Sequence, residues 1–236
     1  MRVDDLFGRI DTARQQLQQA RDETERTRKN PSEIIREYQV KVDNLPSQRY
    51  WDKEITQTEA ELLDKLGFWG RQKFAWLSNG AFDEAKERYP TPARIPDHVS
   101  GEVGHYNWSN NDGHRDAFRH AYWNALLVRE FGEPWAEQYA TAHEAINDPP
   151  NPADQEAMDL YNNEVGRRIA MENPDVSNKE IADLIFQAVE NGDMVVINSN
   201  GELVYSDEVE LWEHGTANDQ SVEGVIEVPN GEAQPE

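Results

Sequence analysis

The sequence predicts an all-α protein: a helical bundle with an N-terminal helical-hairpin arm and a small C-terminal β-hairpin. Three observations carry this expectation. Apolar residues recur at spacings of three and four through most of the chain, Pro and Gly stops separate those runs, and strand-type residues around an Asn-Gly turn follow only after Glu190. With 236 residues, 37% of them hydrophobic and 9% aromatic, there is enough apolar surface for one sizeable core.

The elements follow in order. Leu6, Ile10, Ala13, Leu17 and Ala20 draw a narrow apolar seam on a helix from about Asp4 to Arg28. Ser32, after Pro31, is placed to cap a second helix bearing Ile34, Ile35, Tyr38, Val40 and Val42, and the two form the arm, residues 1–56, which Pro46 interrupts. The bundle proper, 57–212, opens with a helix over Gln57 to Leu66 that Gly67 terminates. One or two aromatic-rich helices follow, with Phe68, Trp69, Phe74, Trp76, Leu77 and Phe82 read as core. Pro90 to Gly113 reads as a long loop, of the kind that often lies beside a binding site. Helices are then expected over His114 to Phe131, from Pro134 to about Asn147, from the cap Asp154 to Met171, and from the cap Asn178 to Glu190. Strands at Met194 to Ile197 and Glu202 to Tyr205 meet at Asn200-Gly201. From Glu213 to the end, 213–236, the acidic, Gly- and Asn-rich composition predicts a disordered tail.

Charge excludes several classes of partner. The chain carries 46 acidic against 23 basic residues, a formal −23, and no Lys or Arg follows Lys179. Such a field repels nucleic acid and anionic lipid, and no dense basic patch offsets it. The absence of cysteine removes thiolate chemistry and cysteine-ligated metals. No run of eighteen apolar residues spans a membrane, and charged residues among the first five positions do not fit a cleavable signal peptide. The expected location is cytoplasmic, or exported without a cleavable signal, with the arm docking a protein partner or secretion carrier.

The sharpest signal is a set of polar residues among Ala, Phe, Tyr, Trp and Leu. Asp116, His120 and Asn124 share one face of a helix, Asp159, Asn163 and Arg167 share a face of another, and His143 and Glu144 stand on the helix between. A carboxylate four residues before a histidine can accept one ring N–H and leave the other nitrogen for chemistry. Catalysis is assigned to Asp116, His120, His143 and Glu144; a divalent metal, zinc or manganese by ligand type, to His120, His143 and Asp159; and binding to Asn124, Asn162, Asn163 and Arg167. The competing interpretation is a satisfied polar network that ties the bundle together. His105 and His114 are expected to be solvated, and Tyr122, Trp123 and Tyr161 to form core or pocket wall.

The runs DAFRHAYWNALL, AHE and MDLYNNEVGRRIA, within roughly Glu61 to Tyr205, resemble an uncharacterised bacterial domain family found in secreted and toxin-associated proteins. That resemblance implies a small helical domain and no particular reaction. HAYWN, GEPWA, Glu144, ADQ and NEVGR are similar, more distantly, to pieces of the serum amyloid A family, helical bundles that bind lipids and small apolar ligands. In that pattern His143 has no counterpart and the Asp159 segment falls in a gap, so Asn163, Arg167 and His120 would brace the scaffold, and His143 and Asp159 would be additions. The expected function is a bacterial effector-type hydrolase using the His/Asp/Glu site, with a lipid or cell-envelope substrate; the alternative is a non-catalytic lipid- or protein-binding module.

Overall fold

In the computed structural model the described residues are 28–41, 48–50, 53–99, 104–145, 151–217 and 226–229. The expected helix over Asp4 to Arg28 lies outside them except for Arg28. The described elements are α1 (Pro31–Glu37), β1 (Gln48–Tyr50), β2 (Lys53–Ile55), α2 (Gln57–Lys65), α3 (Gly67–Arg88), α4 (His105–Asn110), α5 (His114–Phe131), α6 (Glu133–Glu144), α7 (Ala153–Glu172), α8 (Asn178–Glu190), β3 (Val195–Ile197) and β4 (Leu203–Tyr205). This is the helical bundle with a small β-hairpin that the apolar periodicity predicts.

Helix α5 is the axis of the molecule, packing against α3, α6, α7 and α8. Its residues are buried on almost every face, which only a central helix tolerates. The approach of α7 is close because Ala121 faces Gly166: a Cβ at Gly166 would collide with the Ala121 carbonyl oxygen. Two Gly residues set the corners on either side. Gly67 (φ 66°) turns α2 into α3 and Gly132 (φ 80°) turns α5 into α6, both in the left-handed region that favours glycine.

The β-hairpin is a buried corner of the bundle. Val195, Val196 and Ile197 are fully buried, and β3 pairs antiparallel with β4, Val196 opposite Val204. Asn162 on α7 acts as a backbone mimic: its Nδ2 donates to Val195 O at 2.9 Å and its Oδ1 accepts from Val195 N at 3.0 Å. The end of β3 then holds the entry to α5, where Ile197 N–H donates to Asp112 O at 2.9 Å.

Several expectations change. Helix α1 is only seven residues, is capped by Asn30 rather than Ser32, and stops at Tyr38. It packs on α7 and β4, with Ile34 fully buried. A second antiparallel hairpin, β1–β2, with Arg49 opposite Glu54, precedes α2. The long loop contains α4. Ser177 caps α8, in a capping box with Glu180 that leaves Asn178 as the first helical residue. Helix α7 begins after Pro152 without the Asp154 cap.

The described part of the tail is also packed. His214 is buried, stacked on Trp108 with ring centroids 4.8 Å apart and planes 6° apart. The pair exchanges two hydrogen bonds, Trp108 Nε1–H to His214 O at 3.1 Å and His214 Nε2–H to Trp108 O at 3.0 Å. Further on, Ile226 forms a parallel bridge with Val40, with Lys41 N donating to Ile226 O at 2.7 Å and Ile226 N to Gln39 O at 2.8 Å. A backbone ladder and an aromatic stack satisfy groups that composition alone assigns to solvent.

Candidate functional site

The polar residues of α5, α6 and α7 separate into two linked groups and a brace. The first group is Asp116, His120 and Asp159, whose ligand-type atoms lie within 4.8 Å of one another in the buried interior. His120 Nε2 lies 3.4 Å from Asp116 Oδ1 and 3.5 Å from Asp159 Oδ1. One turn of α5 sets the first distance, and the close α5–α7 approach at Gly166 brings Asp159 opposite. Asp116 is further held by Asp112 N–H, which donates to its Oδ2 at 2.8 Å, and by Arg119 Nη2, which donates to its Oδ1. Asp112 adopts φ 68°, a left-handed conformation that aspartate tolerates better than most side chains.

The electrostatics of this group are those of buried carboxylates with one counter-cation. Burial pushes the Asp159 carboxyl well above the usual range, and the neighbouring Asp116 and Glu144 charges add to it. Asp116 is raised by burial, against the pull of Arg119. The His120 imidazole is held well below its usual value by burial and by the Arg119 charge, so it is neutral and able to ligate. Asp159 Oδ1 and His120 Nδ1 are buried without a hydrogen-bond partner. Two carboxylates and a neutral imidazole with unfilled coordination capacity can hold a divalent metal ion.

His143 is not in that group. Its Nδ1–H donates to Glu59 Oε1 at 2.8 Å, and its ring stands 5.7 Å from Trp123 at 76°. Glu59 is fully buried and occupies the third position of α2, where Oε2 accepts from Thr56 N at 2.7 Å in a capping box. Burial would raise the Glu59 carboxyl, but the His143 charge and hydrogen bond bring it below its ordinary value. Burial likewise opposes the imidazolium of His143, and the Glu59 charge and hydrogen bond override that to lift it to about 9. The pair is therefore an imidazolium on a carboxylate at neutral pH. It lines a cavity of about 420 Å³ whose wall includes Phe74, Trp123 and Tyr139.

Arg119 joins the two groups, because it lines that cavity and binds Asp116 beneath it. Glu144 faces inward: burial raises it to about 7, and its Oε2 accepts from Asn151 Nδ2 at 3.0 Å.

The remaining predicted residues form the brace. Asn124 Nδ2 donates to Asn163 Oδ1 at 2.5 Å and to His120 O at 3.2 Å, and Arg167 Nη1 donates to Asn124 Oδ1 at 3.2 Å. Asn162 is committed to β3. These four link backbone and helices in the interior, and none of them lines the cavity. His114 is buried, with Nε2 on Ser206 O at 2.9 Å, and His105 is tied to Pro92 O at 2.8 Å, so neither is simply solvated.

Sequence reasoning missed Glu59, Arg119 and Asp112. Thr56-Gln-Thr-Glu59 carries a capping-box signature that marks Glu59 as helix-bound, but nothing local points to His143. Arg119 was legible only as the basic residue beside His120.

A family model described as a domain of unknown function, DUF6973, matches residues 73–193, which takes in the second half or more of α3 and all of α4 to α8. The chain belongs to that family. Asp116, His120, His143, Asp159 and Arg119 all fall within the DUF6973 span, whereas Glu59 lies before it. No curated protein and no solved structure matches the chain. The likenesses to toxin-associated proteins and to serum amyloid A rest on the quoted motifs alone. No helix among the described residues is long and apolar enough to cross a membrane.

Proposed function

We propose that this DUF6973 protein is a hydrolase whose working acid is His143, held and charged by Glu59 at the wall of the cavity. The observation that carries this reading is the 2.8 Å bond from His143 Nδ1 to a fully buried carboxylate, in a residue that also faces a cavity. Glu59 fixes the ring and stabilises its charge, which leaves Nε2 to act on a molecule in the cavity. The proton at Nε2 passes to the departing oxygen of the substrate as water adds to the reacting centre. The water's surplus proton then returns to Nε2, so the ring ends the cycle as it began. An effector role follows only from the sequence likeness.

A divalent cation fits Asp116, His120 and Asp159, since His120 Nε2 faces an oxygen of each carboxylate and the Asp159 oxygen there is buried without a hydrogen-bond partner. Such an ion would supply positive charge beneath Arg119. All three side chains are almost fully buried, which suits a closed site better than one with a position open to substrate.

A second reading, a lipid- or protein-binding module, is favoured by the exposed face of α3, where Phe68, Trp69 and Trp76 are 60%, 80% and 63% exposed. The two are separated by a turnover assay of the full chain on chromogenic carboxylic, phosphomonoester and phosphodiester substrates. Turnover abolished by His143→Gln and by Glu59→Gln, and kept in Trp69→Ser, supports the hydrolase. Turnover indifferent to both His143→Gln and Glu59→Gln overturns it.

A further inference from the structure

The charge of the cavity is the reverse of the charge of the chain. The chain has 46 acidic and 23 basic residues, yet among the described residues the charged side chains lining the cavity are Lys53, Arg119, His143 and one carboxylate, Glu59. That carboxylate is already used on both sides, Oε1 by His143 and Oε2 by Thr56 N. Arg119 has spent Nη2 on Asp116, while its Nε is buried with no hydrogen-bond partner. A guanidinium is a planar fork of five donors, so one held by a carboxylate through Nη2 still has donors left for a further acceptor, the buried Nε–H among them. The Phe82 ring, 4.8 Å from the centre of the guanidinium, holds the plane of that fork.

The opposite character lies alongside. Phe74 stands 5.8 Å from Trp123 and 4.8 Å from Tyr139, and Trp123 meets Tyr139 at 5.8 Å and 88°, so aromatic edges and faces line the cavity without a charge. Its volume of about 420 Å³ falls within the rough 300–1,000 Å³ range of small-molecule sites. The acidic exterior does not cancel the lining. At physiological salt, charges farther away than about 8 Å are largely screened, whereas the lining acts at contact between low-dielectric walls.

We propose that this cavity binds an oxyanion carried on a flat apolar body, the carboxylate or phosphate seated on Arg119 and Lys53 and the ring against Phe74 and Trp123. This names the substrate class of the hydrolase site and rests on that reading for its consequence, but binding is measurable without turnover. The cation pair sets charge selection and the aromatic wall sets shape, and His143 lines the same cavity.

The test is calorimetric titration of the full chain with 2-naphthoate and 2-naphthyl phosphate, against 2-naphthylmethanol and 2-naphthylmethylamine as neutral and cationic controls. The anions should bind about tenfold or more tightly than the neutral control, as expected for a charge-assisted contact. The better of the two anions identifies the head group. Lys53→Gln at the exposed mouth should weaken anion binding several-fold, and Arg119→Lys, which keeps the charge on Asp116 but loses the fork, should weaken it about tenfold. Equal affinity for anion and neutral control in the wild-type chain overturns the proposal whether or not the Arg119 variant folds. So does an unchanged affinity in Lys53→Gln together with a folded Arg119→Lys. Anion binding in a chain that hydrolyses none of the chromogenic substrates keeps this site and removes the hydrolase reading instead.

Discussion

His143 and Glu59 are 84 residues apart in the chain, and 2.8 Å apart in the fold. The charge on each depends on the other, and that makes the pair sensitive to pH from both sides. His143 is raised to about 9 from an ordinary 6.5, so its contribution to stability is full below about 6.5 and is lost as pH rises through 9. Glu59 is lowered from 4.5, so its contribution is full above 4.5 and is lost as pH falls through the folded-state value. Urea unfolding of wild type and His143→Gln should therefore show a gap at pH 6 that closes by pH 10. A gap of constant size across that range would mean that the imidazolium is not what Glu59 stabilises.

The brace should behave differently from the cavity residues. Asn163→Ala removes the acceptor of Asn124 Nδ2 in a fully buried position and should cost about 1 to 3 kcal/mol, the penalty of stranding a buried polar group. Gly166→Ala should cost about as much or more, because the added methyl group must push α7 from Ala121. Chemical denaturation of both variants, read against a surface control such as Glu172→Ala, measures this. If both unfold with the wild-type midpoint, α5 and α7 do not pack as closely as described.

Metal binding has its own readout. In wild type, zinc or manganese should raise the melting midpoint, since a ligand at one hundred times its dissociation constant stabilises by about 2.7 kcal/mol. Asp159→Asn should lose most of that rise while remaining folded, because the amide keeps the shape and removes a buried charge. A midpoint indifferent to both cations and to a chelator would leave Asp116, His120 and Asp159 as a proton-sharing network.

Removing the C-terminal segment should destabilise the protein. Truncation before Glu213 takes away the His214 ring that covers Trp108 and the Ile226 bridge to Val40. A loss of about 2 kcal/mol corresponds to roughly 4 to 8 °C for a chain of this size. Truncation before Ile226 alone should cost less, since it leaves the Trp108 stack. Differential scanning calorimetry of the two truncated chains gives the comparison, and equal midpoints for both and for wild type would return His214 and Ile226 to the solvent.

The sequence by itself determined most of the long helices and their order. Apolar spacing and Gly or Pro stops are properties of neighbouring turns, so α2, α5, α8 and the Asn200-Gly201 hairpin could be read to within a residue or two. The same local logic put Asp116 and His120 on one face and singled out His143, Asp159, Asn163 and Arg167. What it could not supply was the pairing between elements. Only the tertiary structure decided that Asp159 joins Asp116 and His120, that His143 turns instead to Glu59, and that Asn162 serves a strand. Composition also misassigned His214 and Ile226, because an acidic neighbourhood describes the average residue, whereas burial depends on one apolar contact or one backbone ladder reached across the chain. The charge states followed from the same cause: a carboxylate or imidazole titrates according to the charges and solvent that the fold places within a few ångströms, and those neighbours are distant in sequence.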